Sequence, residues 1–367
     1  MVSHPLSSLD QNRRENNLNL IRLLAALMVT FSHAWPLTGR IEEPLAVLTG
    51  GFLNFGHLGV QVFFVISGLL IAQSFDRSSS VFRYAWARVL RIYPALGMAL
   101  LLTIVAVEFI AGTLPAMEYF LHPSTVAYLK NNLLFRTQYD LPGVFGGNPY
   151  PNSVNGSLWT LRYEVFLYVL VALFGCLGFL RNRVVFNLAL LICFLIFKKP
   201  PEGIAIFPLP LLPNVPTLTA CFCLGSFFYV NRDRIRLNMP SVLASWVAVA
   251  VLHGTVAMEA AYIFAMGYSI LFLAFHPLAR VPNLVPKNDY SYGVYIYSFP
   301  VQQLISSFQP TLLPSVHFFL ACLLVFPLAV FSWHWVEKPA LRLKDMFAAP
   351  RQGETGADPV HLEARRL

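Results

Sequence analysis

The chain is short of charge. Of its 367 residues, 12% are Asp, Glu, Lys or Arg, about half the share of an ordinary soluble domain. Hydrophobic residues make up 56%, which excludes a soluble globular enzyme with a polar shell. Cysteine is scarce too. The five, Cys176, Cys193, Cys221, Cys223 and Cys322, all fall within long apolar stretches, and that placement argues against a disulfide framework. Cys221 and Cys223 are too few, and too apolar in their surroundings, for a zinc site, so no metal is expected. An internal repeat of the kind that marks many transporters is missing. So is a cleavable leader: the first apolar stretch contains Arg22 and ends in Trp35-Pro36 rather than in small residues.

What the chain has in quantity is apolar runs long enough to cross a bilayer. Ten are read, at about 18–37, 57–75, 92–111, 157–180, 184–197, 214–230, 241–257, 260–277, 291–308 and 316–336. The pattern predicts an all-α polytopic membrane bundle of about ten transmembrane helices. Residues 1–17 form a polar cytoplasmic start, 18–347 the membrane domain, and 348–367 a polar tail with the composition of a disordered segment. The formal charge of +8 is a matter of topology. Nineteen of the 26 lysines and arginines fall in segments that are cytoplasmic if the N-terminus is inside, and five fall outside. The positive-inside rule then puts both termini in the cytoplasm, and no nucleic-acid partner is implied.

Arg22 and His33 lie eleven residues apart in the first apolar stretch. Eleven helical residues are close to three turns, so both side chains share a face, roughly 16 Å apart along the axis. Ionisable groups inside a membrane helix are costly and mark candidate functional sites. The ordinary structural explanation is that Arg22 snorkels to the interface and His33 bonds a neighbouring helix. In the second stretch, Ser67 and Gly68 permit close helix approach, and no neighbour in sequence argues for a serine nucleophile. Arg88 and Arg91, three apart at the start of the third, share a helical face and suit phosphate recognition. They also suit the positive-inside rule without any ligand. Glu164 enters the fourth stretch at the depth expected for His33, which makes His33 its expected partner. Tyr168, one turn on, lies on the Glu164 face. Glu108, His253, His276, Gln302, Gln303, His334 and Glu337 are read as mostly near helix ends, where the interface accommodates them. The longest loop, about 112–156, is rich in Gly, Pro and Asn in its second half and is expected to act as a lid or binding wall.

Together these segments resemble the acyltransferase-3 family of integral membrane acyltransferases, many of which O-acetylate bacterial surface glycans. The resemblance rests on Arg22 with His33, on the FFVISGLL segment, and on Arg88-Val-Leu-Arg91-Ile-Tyr-Pro94. It continues through Gly156-Ser-Leu-Trp-Thr-Leu-Arg-Tyr-Glu164, Ser291-Tyr-Gly-Val-Tyr-Ile-Tyr297 and Val336-Glu337-Lys-Pro339. These six segments occur in family order over residues 17–344. In one departure, many relatives carry a histidine between the ninth-helix tyrosines and the following proline, where this chain has Ser298-Phe299-Pro300. In another, no fused extracellular hydrolase-like domain is expected.

The resemblance implies transfer of an acyl group, acetyl above all, from cytoplasmic acetyl-CoA to a hydroxyl of an exported or cell-surface carbohydrate or lipid-linked glycan, at a bacterial cytoplasmic membrane. His33 would be the general base and Glu164 the group that orients it, as a triad carboxylate does. Arg88 and Arg91 would hold the donor phosphates, and its pantetheine arm would run past Arg22 and the Ser67 wall. The rival readings are a proton-coupled transporter or flippase, in which His33 and Glu164 relay protons, and a scaffold in glycan assembly without chemistry of its own.

Overall fold

The computed structural model describes residues 4–5, 16–198, 215–281 and 283–346. Its architecture is helical, apart from a two-residue antiparallel pairing of His4–Pro5 with Arg236–Leu237. The helices are α1 (Leu18–Leu37), α2 (Pro44–Leu48), α3 (Phe55–Asp76), α4 (Val81–Ala111), α5 (Ala116–Leu121), α6 (Pro123–Leu133) and α7 (Trp159–Cys176). There follow α8 (Arg183–Lys198), α9 (Val215–Val230), α10 (Met239–Val251), α11 (Met258–Phe275), α12 (Ser291–Phe308), α13 (Pro314–Ser332) and α14 (Lys338–Arg342). Each of the ten apolar stretches falls on a helix. Among the described residues six spans, on α1, α3, α4, α7, α11 and α13 with its continuation to Arg342, are long and apolar enough to cross a membrane by length and composition. Three more apolar segments, on α8, α9 and α10, are shorter.

Side-chain caps set several helix starts, each taking up an amide that the helix leaves unpaired. Asn54 accepts from the His57 amide at 2.7 Å, and Ser80 from the Arg83 amide at 3.2 Å. The Ser80 cap starts α4 eleven residues before the apolar stretch expected at 92, so both Arg88 and Arg91 sit on the helix itself. Pro44 and Pro123 occupy first-turn positions of α2 and α6, where a missing N–H costs nothing.

The centre of the bundle is the α3–α9 pair, where backbone meets backbone. A Cβ on Gly68 would stand 2.0 Å from the Phe222 carbonyl oxygen, and one on Gly225 would stand 2.0 Å from that of Val65. Ser226 seals the contact by donating to the Gly68 carbonyl at 3.1 Å. Across α3 from α9, Gly59 admits the Ala25 carbonyl of α1. Small residues at these crossings let helices approach closely where lipid offers no hydrophobic drive between them.

Polar residues in α12 stitch the rest together. The expected interfacial placement of Gln302 and Gln303 is corrected here, since both are fully buried. Gln302 donates to the Thr30 carbonyl of α1 at 2.9 Å, and Ser306 to that of Leu37 at 2.7 Å. Gln303 donates to the carbonyls of Tyr150 and Ser153 and accepts from the Asn148 amide. It thereby anchors the long loop to the bundle. Within that loop Phe145 and Asn152 adopt left-handed backbone, and Val144, Phe145 and Val154 are buried. Glu108, His276 and Glu337 do lie at ends of their helical segments, as read, and are buried as well. Between α13 and α14 the chain makes a π-helical turn, Trp333–Glu337.

Candidate functional site

Two chambers with two lining residues in common lie in the bundle. The first, of about 340 Å³, is lined by Arg22, Arg88, Arg91, Ser67, Glu164 and Asp289, and we call it the arginine chamber. The second, of about 640 Å³, holds His33, His57, Tyr150, Ser157 and Trp159, and is the histidine chamber. Val60 and Tyr295 line both.

In the arginine chamber the sequence-predicted residues Arg22, Ser67, Arg88, Arg91 and Glu164 converge from four helices. Asp289, which precedes α12, organises two of them and was not foreseen. Its Oδ2 sits 2.6 Å from a guanidinium nitrogen of Arg22 and 2.6 Å from one of Arg91. Its Oδ1 accepts the backbone amide and the hydroxyl of Ser291. Burial alone would raise this carboxyl, but the two guanidiniums override that and hold it down at about 2. Glu337, 2% exposed, stands behind Arg91 at 3.6 Å and accepts from Ser332 at 3.2 Å. The π turn, a device often found at functional sites, carries this carboxylate inward while Trp335, two residues before it, is exposed. The sequence offered for Glu337 only a place near a helix end.

Arg22 and Arg91 therefore face carboxylates at close range. Arg88 is differently placed. Its Nη2 reaches Ser74 Oγ at 3.3 Å, its Nε is buried without a hydrogen-bond partner, and its guanidinium lies about 6 Å from the rings of Tyr84 and Tyr168. Glu164 accepts from the Ser67 hydroxyl at 3.1 Å and from the Tyr168 hydroxyl, so the network read along the Glu164 face is present.

The expected pairing of Glu164 with His33 is corrected by this geometry. Glu164 lines the arginine chamber and His33 the histidine chamber, and no hydrogen bond or ion pair joins them. His33 Nδ1 is buried with no hydrogen-bond partner. The imidazole is oriented by packing instead, edge-on to Phe299 at 5.1 Å between ring centroids. Gly156 makes that possible, since a Cβ there would stand 2.5 Å from the Phe299 ring. Ser157 shares the chamber, and its hydroxyl too is buried without a partner. Position in the quoted Gly156-to-Glu164 segment was the only signal for Ser157. Tyr150 and Pro149 bring the long loop into the chamber wall, and Trp159 adds an aromatic face. Among the described residues no group of three His, Cys, Asp or Glu side chains is placed to hold a metal.

The chain matches a family model described as an acyltransferase domain over residues 15–334. It is 30% identical over 338 residues to an O-acetyl transferase of Shigella phage Sf6, covering 89% of this chain and 96% of the relative. It is 28% identical over 364 residues to nodulation protein 10 of Rhizobium leguminosarum bv. viciae, covering 92% of this chain and 96% of that one. No solved structure matches it significantly.

Proposed function

The chain belongs to the acyltransferase-3 family and is an O-acyltransferase, and we propose that it moves an acetyl group from acetyl-CoA in the arginine chamber to a carbohydrate hydroxyl in the histidine chamber. The observation that carries this reading is the abutment of the two chambers. One is lined by guanidinium groups, and the other holds an imidazole with a free nitrogen. CoA is a group carrier whose phosphates and thioester sit at opposite ends of a long arm. A cavity of about 340 Å³ is at the small end of ligand pockets and suits that arm, with the phosphates at the mouth beside Arg88. In the bundle of ten spans with cytoplasmic termini read from the sequence, that mouth opens to the cytoplasm of a bacterial cell. The acceptor, an exported or surface glycan, then reaches His33 from the far side.

The chemistry balances on the residues present. His33 takes the proton of the acceptor hydroxyl as its oxygen attacks the thioester carbonyl. The Ser157 hydroxyl, buried without a partner in the same chamber, would donate to the oxyanion that forms. As the C–S bond breaks, the imidazolium returns its proton to the departing thiolate, leaving the acetyl ester and free CoA. Glu164, freed from the role of orienting His33, accepts from Ser67 and Tyr168 on the donor side. The name of the phage relative, an O-acetyl transferase, supports acetyl as the group and oxygen as the acceptor atom.

Sealed inverted and right-side-out vesicles, with acetyl-CoA and envelope glycan on chosen sides, test the proposal. Transfer is expected only with the donor on the cytoplasmic side and the acceptor opposite. His33→Ala should insert normally and keep less than a tenth of the transfer. Efficient transfer with both substrates confined to the cytoplasmic side would overturn the sidedness, and a fully active His33→Ala would overturn the base.

A further inference from the structure

We propose that Tyr295 is the residue that decides between transfer and hydrolysis, by walling the donor thioester off from the water of the acceptor chamber. The inference rests on the reading of the two chambers as donor and acceptor sites, and it assigns a selectivity role that reading does not contain.

An acyltransferase whose base can activate a sugar hydroxyl can activate water in the same way. Water attack on the thioester carbonyl would break the C–S bond, give free CoA and acetate, and release one proton to solvent. The base offers no discrimination between the two nucleophiles, so the selectivity has to come from when and where water meets the thioester. In this molecule the point of meeting is narrow. Only Val60 and Tyr295 line both chambers among the described residues, and both are buried, at 7% exposure each.

Of the two, Val60 is a short side chain on α3, whereas Tyr295 is a large ring held at three points. Its hydroxyl donates to the Ser157 carbonyl at 2.9 Å and lies 2.8 Å from the Thr160 hydroxyl. Ser157 faces the histidine chamber and Thr160 the arginine chamber, so the latch sits on the boundary itself. Phe63 braces the ring edge-on at 5.7 Å between centroids. A buried phenol with both its donor and an acceptor position satisfied, and its face packed, is a fixed wall. The ring is a hinged wall too, since only side-chain torsions need change to open it, at the expense of two hydrogen bonds. An acceptor that fills the histidine chamber expels the water that the wall holds back, so opening then exposes the thioester to a sugar hydroxyl alone.

The test uses the purified full-length chain with acetyl-labelled acetyl-CoA, and the envelope glycan of the producing organism as acceptor probe. Acetate release and acetyl transfer are read from the same reaction. Tyr295→Ala removes the wall and should raise the ratio of hydrolysis to transfer by about tenfold or more, with CoA affinity within about twofold of the parent as the check on folding. Tyr295→Phe keeps the ring and loses the latch, and should raise the ratio by about threefold. An unchanged ratio in Tyr295→Ala that still binds CoA overturns the proposal. If Tyr295→Ala does not fold, an unchanged ratio in Tyr295→Phe overturns it. A parent protein that binds CoA but neither transfers nor hydrolyses acetyl overturns the two-substrate reading instead, a result distinct from either variant outcome.

Discussion

Replacing Asp289 by Asn removes one negative charge from between two guanidiniums and changes almost nothing in shape. The carboxylate oxygen lies 2.6 Å from both Arg22 and Arg91, and the Asp289 side chain is 11% exposed. The neutral amide cannot compensate either arginine, and its nitrogen, if turned toward them, points a donor at donors. Removing one partner of a buried ion pair costs about 3–5 kcal/mol, because the charge left behind is uncompensated. The same two guanidiniums also depress the titration of this carboxyl, so its contribution depends on pH. Its pKa falls from 3.8 to about 2, and at about 1.36 kcal/mol for each pH unit that is roughly 2–3 kcal/mol of stability linked to the ionised form. The sign follows from the depressed folded-state pKa. The contribution is fully present above about pH 4, and it is lost as pH falls toward 2. Thermal unfolding of the detergent-solubilised protein between pH 2 and pH 7 should show the parent losing stability below pH 4. Asp289→Asn should begin lower, by about 3–5 kcal/mol, and the difference between the two should shrink toward pH 2. A variant as stable as the parent at neutral pH, or a difference that does not shrink on acidification, would refute the electrostatic account of this cluster.

Two further outcomes are expected. Arg88→Gln should weaken acetyl-CoA binding about tenfold, in line with loss of a charge-assisted contact to phosphate, while Arg91→Gln should cost mainly stability because Asp289 and Glu337 occupy its guanidinium; isothermal titration with CoA alongside thermal unfolding separates the two. Gly68→Ala should lower the yield of folded protein through a clash of at least about 3 kcal/mol with the Phe222 carbonyl, whereas Gly97→Ala, which meets nothing within 4 Å, should be neutral, and size-exclusion profiles after extraction would show whether it is so.

Helical periodicity made the arginine chamber legible in part. Arg22, Arg88, Arg91, Ser67 and Glu164 each stand out in their own stretch, and Tyr168 follows from the i, i+4 rule on the Glu164 face. Depth along the bundle could be counted in turns, but the direction in which a helix faces its neighbours could not. That is why Glu164 and His33, at similar expected heights, were paired in the sequence and stand in different chambers in the fold. Asp289 was invisible for a related reason. It lies in a connection rather than in an apolar stretch, and its partners are 267 and 198 residues away in the chain. Gln302 and Gln303 looked interfacial because their partners are backbone carbonyls of α1 and of the long loop, which no side-chain pattern announces.

The cluster of Arg22, Asp289, Arg91 and Glu337 also has a bearing on how the molecule is made. Its members come from α1, α4, the segment before α12 and the turn after α13, so synthesis delivers both cations long before either anion. Throughout the insertion of the intervening helices, Arg22 on α1 and Arg91 on α4 are without the carboxylate that bridges them in the finished fold, and unpaired charge at membrane depth is costly. Only when residue 289, and then residue 337, leaves the ribosome can the first and last thirds of the chain neutralise one another. The bundle is thus closed from its C-terminal end. Chains that stop before Asp289 lack the carboxylate that bridges Arg22 and Arg91, and should persist as loosely assembled helices open to quality-control proteases, whatever the soundness of the helices already inserted.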